Sequence, residues 1–171
     1  AGPSSAGKTT FAKRLSIHLL VNGLRPVTLA TDDYFVGDQR NPRDADGRPD
    51  YEHIEAVDLE RFNQDLVRLI RGEEIEVPRF NFETRTREFR GETMRITDEN
   101  VILIEGIHGL NPRLTAQTPT ASTFKIYISA LTQLSVDANN RISTTDNRLM
   151  RRMVRDHQFR KHTALETLRR W

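Results

Sequence analysis

Three observations predict an α/β fold for this chain. A glycine-rich turn at residues 2–9 leads directly into a segment of helical periodicity at residues 9–21. Two short apolar segments, residues 26–30 and 101–106, have the length and composition of buried parallel strands. Carboxylates lie at the end of the second segment and just after the first, at the edge where an open α/β sheet binds its ligands. We therefore expect a mostly parallel sheet with helices on both faces.

The glycine-rich turn matches the phosphate-binding pattern G-x-x-x-x-G-K-[ST], known as Walker A. Its glycines allow backbone N–H groups to close on a polyphosphate at the N-terminus of the following helix. Lys8 would reach the β- and γ-phosphates, and the Thr9 hydroxyl would bind Mg²⁺. The competing interpretation is a turn rich in Gly and Ser that fits the pattern by chance. The predicted nucleotide-binding residues are Gly2, Pro3, Ser4, Ser5, Ala6, Gly7, Lys8, Thr9 and Thr10.

Composition limits the classes of function. A length of 171 residues fits one domain, and 36% hydrophobic with 29% charged residues is typical of a globular chain. A net charge of +2 does not favour a general nucleic-acid binder. The absence of cysteine excludes disulfides and agrees with a cytoplasmic location. No apolar run reaches the roughly 18 residues of a membrane span.

The two ends of the sequence indicate a piece of a longer chain. A Walker A loop ordinarily follows a buried strand, whereas this loop begins at Gly2. The last residue, Trp171, follows a helical segment with no closing strand. We expect a first strand before Ala1, and we interpret residues 1–171 as a single domain cut from a longer polypeptide.

Carboxylates follow both predicted strands. Asp32 and Asp33 come after residues 26–30, and we expect at least one of them to act as a catalytic base while the other caps a turn. Glu105 ends the second strand, where phosphate-loop proteins keep the acidic group that holds Mg²⁺ or its waters. The alternative for Glu105 is an ion pair with a structural arginine, because a buried carboxylate is unfavourable without a partner.

The middle of the chain predicts a loop, a helix and a hairpin. Residues 36–51 are polar and rich in Gly and Pro, which indicates a loop. Residues 58–71 form an amphipathic helix whose apolar face belongs to the core. Residues 75–82 and 86–96 predict a β-hairpin projecting from the main sheet, with Pro78 restricting its first strand to an edge. Interleaved Phe and Arg residues would let this hairpin bind a planar ring or single-stranded nucleic acid, unless it is an ordinary hairpin with one apolar face.

The last third of the chain predicts a strand, a polar loop and an arginine-rich helix, at residues 123–129, 131–147 and 148–157. Arginines recur every three or four residues of this helix, so they crowd together on its surface. A bound polyanion would offset their mutual repulsion, whereas the simpler interpretation is a solvated charged face. We expect the region 148–171 to form a lid that meets phosphates.

Six segments in this order resemble the uridine kinase and phosphoribulokinase family of P-loop kinases. They are GPSSAGKTT, TDDYF, YEHIEAVD, VPRFNFETRTRE, VILIEGIHGL and RLMRRMVRD, and they span almost the whole chain. The resemblance implies a P-loop kinase domain with a protruding hairpin. It also implies ATP-dependent transfer of the γ-phosphoryl group to a hydroxyl, most often the 5′-hydroxyl of a nucleoside such as uridine or cytidine.

The resemblance implies a role for each matching position. Asp32 aligns with the base that takes the proton of the acceptor hydroxyl. Arg152 and Arg160 would join the glycine-rich turn in holding the nucleotide. The implied catalytic residues are Asp32, Lys8 and Arg155, and the implied metal-binding residues are Thr9 and Glu105. The implied substrate-binding residues are Asp32, Tyr34, Glu52, Phe80, Arg85 and Arg152.

The departures from the family pattern lie on the acceptor side. Phe80 and Arg85 stand where relatives that accept uridine or cytidine carry a Tyr and a His that hydrogen-bond the base. Tyr34 and Phe35 reverse the usual order, and Glu52 replaces the aspartate that touches the ribose. Because a site that hydrogen-bonds a base edge discriminates strongly, these exchanges would change the substrate. The pattern is similar to the branch of the family fused to synthetase-like N-terminal domains.

The implied ligands are ATP, Mg²⁺ and a small hydroxyl-bearing acceptor, with neither a membrane nor a nucleic acid as partner. Homo-oligomerisation stays open. Two other classes of function also stay open. One is a P-loop NTPase or nucleotide-sensing domain that regulates a fused partner without phosphorylating a small molecule. The other is a nucleic-acid-associated module that uses the arginine-rich helix and the hairpin.

Overall fold

A computed structural model describes residues 1–130 and 135–171 and has the predicted α/β class. Its helices are α1 (Lys8–Val21), α2 (Leu59–Ile70), α3 (Thr144–Arg160) and α4 (Ala164–Arg169). Its strands are β1 (Arg25–Ala30), β2 (Ile75–Asn81), β3 (Thr86–Met94) and β4 (Asn100–Glu105). Within the described ranges, no helix is both long and apolar enough to cross a membrane.

The strands β1 and β4 form a parallel pair, as predicted. Their register runs from Arg25 opposite Asn100 to Ala30 opposite Glu105. Helix α1 packs against both strands. Because parallel strands end at the same edge of a sheet, the turn after β1 comes next to the Glu105 carboxylate.

Helix α1 follows the glycine-rich turn, as the periodicity predicts. It ends at Asn22 and Gly23, whose φ of 80° suits a residue without a side chain. Its apolar residues are less buried than their spacing predicts, since Phe11 is 39% exposed and Leu20 is 57% exposed.

The core lies around α2, the hairpin and the turn after β1. Asp58 caps α2 by accepting a hydrogen bond from the Arg61 N–H at 3.1 Å. Phe62 and Leu69 of this helix are fully buried. Ile70 belongs to the predicted apolar face but is 49% exposed, because it lies about 100° around the helix from Leu69.

The hairpin prediction is confirmed, and β2 and β3 pair antiparallel in a sheet of their own. The register shifts between Glu76 and Pro78. Proline has no N–H to donate to a ladder, so a shift of register at this position is expected.

The predicted strand at residues 123–129 is wrong. The Ala1 ammonium donates to the Ile126 carbonyl at 2.7 Å, and the Ile128 N–H donates to the Ala1 carbonyl at 2.7 Å. These two hydrogen bonds do not extend into a ladder among the described residues, and Phe124 is 89% exposed. The segment is therefore extended chain beside Ala1.

The arginine-rich helix is longer than predicted. Helix α3 begins at Thr144, because the Ser143 hydroxyl accepts the Asp146 N–H at 3.0 Å and caps it there. It continues to Arg160, past the predicted end at residue 157. The predicted loop at residues 131–147 is therefore shorter, and its residues 131–134 lie outside the described part of the chain.

Candidate active site

The glycine-rich turn folds into a loop at the N-terminus of α1. Gly7 has a φ of 96°, and Ser5 has a φ of 58°, so both adopt the left-handed backbone. A side chain at Gly2 would place its Cβ 2.3 Å from the Ile128 carbonyl oxygen. The Lys8 amine donates to the Pro3 carbonyl at 3.1 Å, across the loop. This arrangement, a cation beside the free N–H groups of a helix N-terminus, suits an anion.

The Thr9 hydroxyl and the Glu105 carboxylate meet beside the loop. Thr9 Oγ1 donates to Glu105 Oε1 at 3.2 Å. Burial raises the pKa of Glu105 above its ordinary value, and Asp32 raises it further, while Lys8 and the hydrogen bond from Thr9 oppose the shift. Two oxygen groups from α1 and β4 therefore lie together, and oxygen groups are the kind of ligand that a hard divalent cation binds.

The two adjacent aspartates after β1 have different surroundings. Asp33 accepts the Phe80 N–H at 3.2 Å and pairs with Arg79 at 3.0 Å, so it fixes the hairpin against the turn. Asp32 makes no side-chain hydrogen bond or ion pair with any described residue. Burial raises the pKa of Asp32 above its ordinary value, against the opposing effects of Arg160 and Lys8. Of the two, Asp32 has the surroundings of a proton acceptor.

Two arginines of α3 approach the loop and the hairpin. The guanidinium of Arg155 lies 3.4 Å from Ser4 Oγ in the loop. The guanidinium carbon of Arg160 lies 4.8 Å from the centre of the Phe82 ring. Helix α3 therefore places one positive charge against the loop and another against the hairpin.

A third arginine of α3, Arg152, contacts neither the loop nor the hairpin but Glu52. Arg152 Nη1 donates to Glu52 Oε1 at 3.0 Å. Between the three arginines lies Asp156, which is 2% exposed. Its carboxylate is 2.8 Å from Arg155, 3.6 Å from Arg152 and 3.7 Å from Arg160.

Residues of the loop, of both strand ends, of the hairpin and of α3 line one cleft of about 440 Å³, a volume typical of small-molecule sites. The predicted site residues that line it are Ser4, Lys8, Thr9, Asp32, Glu52, Phe80, Arg85, Glu105, Arg152, Arg155 and Arg160. The other predicted residues of the turn lie outside its lining, namely Gly2, Pro3, Ser5, Ala6, Gly7 and Thr10. The cleft therefore combines the phosphate loop, both carboxylates and the lid arginines.

Comparison with known proteins identifies the family. A profile described as the Phosphoribulokinase / Uridine kinase family matches residues 1–170. The chain belongs to this family. Curated proteins named uridine kinase are similar to it. The chain is 25% identical to that of Ureaplasma parvum serovar 3 over 171 residues, which are 100% of this chain and 73% of the relative.

Two further relatives and a solved structure extend the comparison. Identity is 26% over 164 residues to the uridine kinase of Geobacillus kaustophilus (95% of this chain, 68% of the relative). It is 32% over 117 residues to that of Vibrio parahaemolyticus (67% of this chain, 54% of the relative). A solved structure described as a possible uridine kinase from Bacillus stearothermophilus is 26% identical, with a TM-score of 0.53 over 67% of this chain and 62% of that chain. This member of the phosphoribulokinase/uridine kinase family is thus a phosphotransferase that acts on a hydroxyl.

One residue of the substrate set implied by the family resemblance lies elsewhere. Tyr34 is 0% exposed, donates its hydroxyl to Asp65 at 3.3 Å, and packs edge-on against Phe62. It ends a 3₁₀ turn, in which residues three apart face the same side, so it points into the core with Thr31. The neighbouring Phe35 lines the cleft instead. The structure therefore places the predicted substrate residue Tyr34 in the core and not in the lining of the cleft.

The acceptor side of the cleft is an aromatic wall, formed by Phe35, Tyr51, Phe80 and Phe82. The ring centres of Phe35 and Phe80 are 5.3 Å apart, and those of Phe80 and Phe82 are 5.2 Å apart. The Tyr51 hydroxyl donates to Asp38, which also accepts a hydrogen bond from Arg85 at 3.1 Å. A ring face and an anchored guanidinium, those of Phe80 and Arg85, therefore stand at the two positions where the resemblance implies a Tyr and a His in relatives that accept uridine or cytidine.

The hairpin arginines are already paired. Arg79 pairs with Asp33 and Glu92, Arg85 with Asp38, Arg87 with Asp58, and Arg90 with Glu88. Phe89 lies within cation–π distance of Arg61 and Arg87. Because nucleic-acid affinity depends on basic groups that neutralise phosphates, this pairing favours the interpretation as an ordinary hairpin.

Sequence reasoning missed Asp156, and it placed Arg148 in the predicted arginine-rich helix without listing it among the site residues. Arg148 Nε donates to the Ser4 carbonyl at 3.0 Å, so it also holds the loop. The signal for Asp156 is its spacing, four residues after Arg152 and four before Arg160, which places one acid amid the arginines of a single helix.

Proposed function

We propose that this domain transfers the γ-phosphoryl group of ATP to the hydroxyl of a small acceptor, and that the acceptor is a nucleoside such as uridine or cytidine. One observation carries the proposal. Lys8 and Thr9 on α1, Asp32 after β1 and Glu105 on β4 all line the same cleft. Phosphoryl transfer requires positioning and charge stabilisation, and these four residues supply both.

The loop and Lys8 bind the polyphosphate in this mechanism. The Lys8 amine exchanges its contact with the Pro3 carbonyl for phosphate oxygens, while the N–H groups at the start of α1 donate to the same group. Arg155 contacts Ser4 of the loop, so a second cation would lie beside the phosphates.

Thr9 and Glu105 fit a magnesium site. Their oxygens are already in hydrogen-bond contact, and one of them is a carboxylate. In the described part of the chain no group of three or more His, Cys, Asp or Glu could hold a metal, so the remaining ligands would be phosphate oxygens and water. When bound there, Mg²⁺ would neutralise charge on the phosphate oxygens.

Asp32 is the proposed general base. It lines the cleft, and its carboxylate is free of hydrogen bonds from the described residues. Its raised pKa brings its proton affinity closer to that needed to accept a proton from a hydroxyl. Glu52, held by Arg152, would contact the sugar of the acceptor.

The lid arginines would stabilise the charge that develops on the transferred group. Arg155 lines the cleft beside Ser4 of the loop, Arg160 lines it beside Phe82, and Arg152 lines it beside Glu52. Fixed cations in a cleft of low water content stabilise such charge more than mobile ones do.

A kinase assay tests the proposal. The full-length protein is mixed with ATP, Mg²⁺ and a panel of nucleosides and sugars, and ADP release is followed for each acceptor. Release that depends on an acceptor, with a phosphorylated product seen by mass spectrometry, supports a kinase. ATP hydrolysis at one rate with every acceptor and without any would contradict it, and would favour the NTPase or nucleotide-sensing alternative.

A further inference from the structure

The carboxylate of Asp156 is the centre of the arginine cluster on α3. It is 2% exposed, and Arg152, itself 9% exposed, is buried with it. Arg155 donates to Asp156 Oδ1 from Nε at 2.9 Å and from Nη2 at 2.8 Å, while Arg152 and Arg160 lie 3.6 Å and 3.7 Å from the carboxylate. The Asp156 carbonyl also accepts the His162 N–H at 3.1 Å, which ties the end of α3 to the same residue.

The three arginines leave this centre in three directions. Arg155 reaches the phosphate loop at Ser4, Arg152 reaches Glu52, and Arg160 reaches the ring of Phe82. All three line the cleft, whereas Asp156 does not. Asp156 therefore contacts the groups that face the ligand without facing it itself.

Three guanidinium groups within one helix surface repel one another. Burial and the neighbouring Arg155 lower the pKa of Arg160, and Asp156 opposes that effect. Without the carboxylate, each arginine would move toward solvent, where its charge is better solvated. If the arginines left their positions, kcat would fall more than the affinity for nucleotide. The reason is that the attraction of three cations for a polyphosphate does not require fixed geometry, whereas stabilisation of the transferred group does.

We propose that Asp156 is a positioning residue for phosphoryl transfer, whose buried carboxylate holds Arg152, Arg155 and Arg160 against three separate walls of the cleft. The role rests on the proposed kinase function. It differs from a merely structural role, in which loss of Asp156 would lower the stability of α3 and the fraction of active protein but leave kcat per active site unchanged.

Three variants test the role in the full-length protein. Asp156→Asn keeps the shape and removes the charge, and Asp156→Glu restores the charge on a longer side chain. Asp146→Asn is the matched control, because Asp146 is an exposed carboxylate in the first turn of the same helix. We expect Asp156→Asn to lower kcat by roughly 10- to 100-fold, as for a misplaced catalytic group. The affinity for a non-hydrolysable ATP analogue stays equal or becomes tighter, and Asp156→Glu recovers part of the loss.

A second measurement does not depend on turnover. Trp171 is the single tryptophan of the chain, and its ring lies 4.9 Å from the Arg148 guanidinium and 5.7 Å from that of Arg152. If Asp156→Asn releases Arg152, the neutral quencher acrylamide gains access to the ring, so the quenching constant rises in this variant and stays at the wild-type value in Asp146→Asn.

The two proposals fail in different ways. If the wild type phosphorylates no acceptor, the kinase proposal is wrong, and the quenching comparison still decides whether Asp156 holds the arginines. If Asp156→Asn keeps the wild-type kcat, or loses kcat only in proportion to its active fraction, the positioning role is wrong. Wild-type quenching in a folded Asp156→Asn variant would also overturn it.

Discussion

Replacing Asp32 by Asn removes the proposed proton acceptor while keeping the size and polarity of the side chain. The Asp32 side chain makes no hydrogen bond or ion pair with the described residues, so the substitution breaks no such contact of the fold. Its loss should therefore appear in the chemical step alone. A missing general base lowers kcat by about 10²–10⁴-fold, which corresponds to a barrier higher by about 2.7–5.4 kcal/mol.

Nucleotide binding should behave differently from turnover. The negative charge of Asp32 lies near Lys8 and Arg160, and it opposes an incoming polyphosphate. Asp32→Asn should therefore bind a non-hydrolysable ATP analogue as tightly as the wild type or more tightly. Isothermal titration measures this affinity, and ADP release at saturating acceptor measures kcat.

The pH dependence provides a second readout. The folded-state pKa of Asp32 is raised above its ordinary value of 3.8, so the rising limb of kcat/KM lies above that pH, and Asp32→Asn loses this limb. Between the two pKa values the folded state binds more protons than the unfolded state, so stability falls as pH rises through the folded pKa. At neutral pH, Asp32→Asn should thus be at least as stable as the wild type, and lost turnover cannot come from unfolding.

Asp33→Asn is the matched control. Asp33 is the adjacent carboxylate, and it holds Arg79 and the Phe80 N–H instead of facing the cleft. Its partly exposed ion pair contributes under about 1 kcal/mol, so this variant should melt slightly earlier and keep its kcat. Equal losses of kcat in both variants, or a parallel loss of nucleotide affinity in Asp32→Asn, would refute the assignment of Asp32 as the base.

Three further predictions follow from other parts of the site. Lys8→Ala should weaken binding of the ATP analogue itself, because it removes the cation of the loop; unchanged affinity by titration would contradict the P-loop role. The double variant Phe80→Tyr with Arg85→His should raise kcat/KM for uridine over the wild type, because it restores the family's base-reading groups; no gain in a nucleoside panel would mean that the aromatic wall does not read the base. Gly106→Ala should lower the free energy of unfolding by about 1–3 kcal/mol, because its Cβ would lie 1.8 Å from Thr31 Oγ1. Chemical denaturation measures that loss, and adding Thr31→Ala should recover part of it; a wild-type value for Gly106→Ala alone would disprove the close approach.

The C-terminal third shows where local patterns fail. Residues 123–129 have the composition of a strand, but strand formation depends on a partner strand. Among the described residues, Ala1 is the partner at Ile126 and Ile128, and one residue does not make a strand. Helix α3 starts earlier than its arginine pattern predicts, because the cap at Ser143 depends on one side chain rather than on periodicity. Both errors arise because strand pairing and helix capping depend on individual partner residues, which a local pattern of residue types does not specify.

The sequence by itself determined the phosphate loop, the helices that follow it and precede the hairpin, the strand that ends at Glu105, and the family. These features depend on spacing within a few residues, and a linear pattern records that spacing completely. Only the tertiary structure decided that Asp33 holds the hairpin, that Tyr34 turns into the core, and that Asp156 joins three arginines. The physical reason is that a 3₁₀ turn rotates each side chain by about 120°, so neighbours such as Asp32 and Asp33 diverge. The ion pairs then depend on elements that are distant in the chain and meet only in the fold.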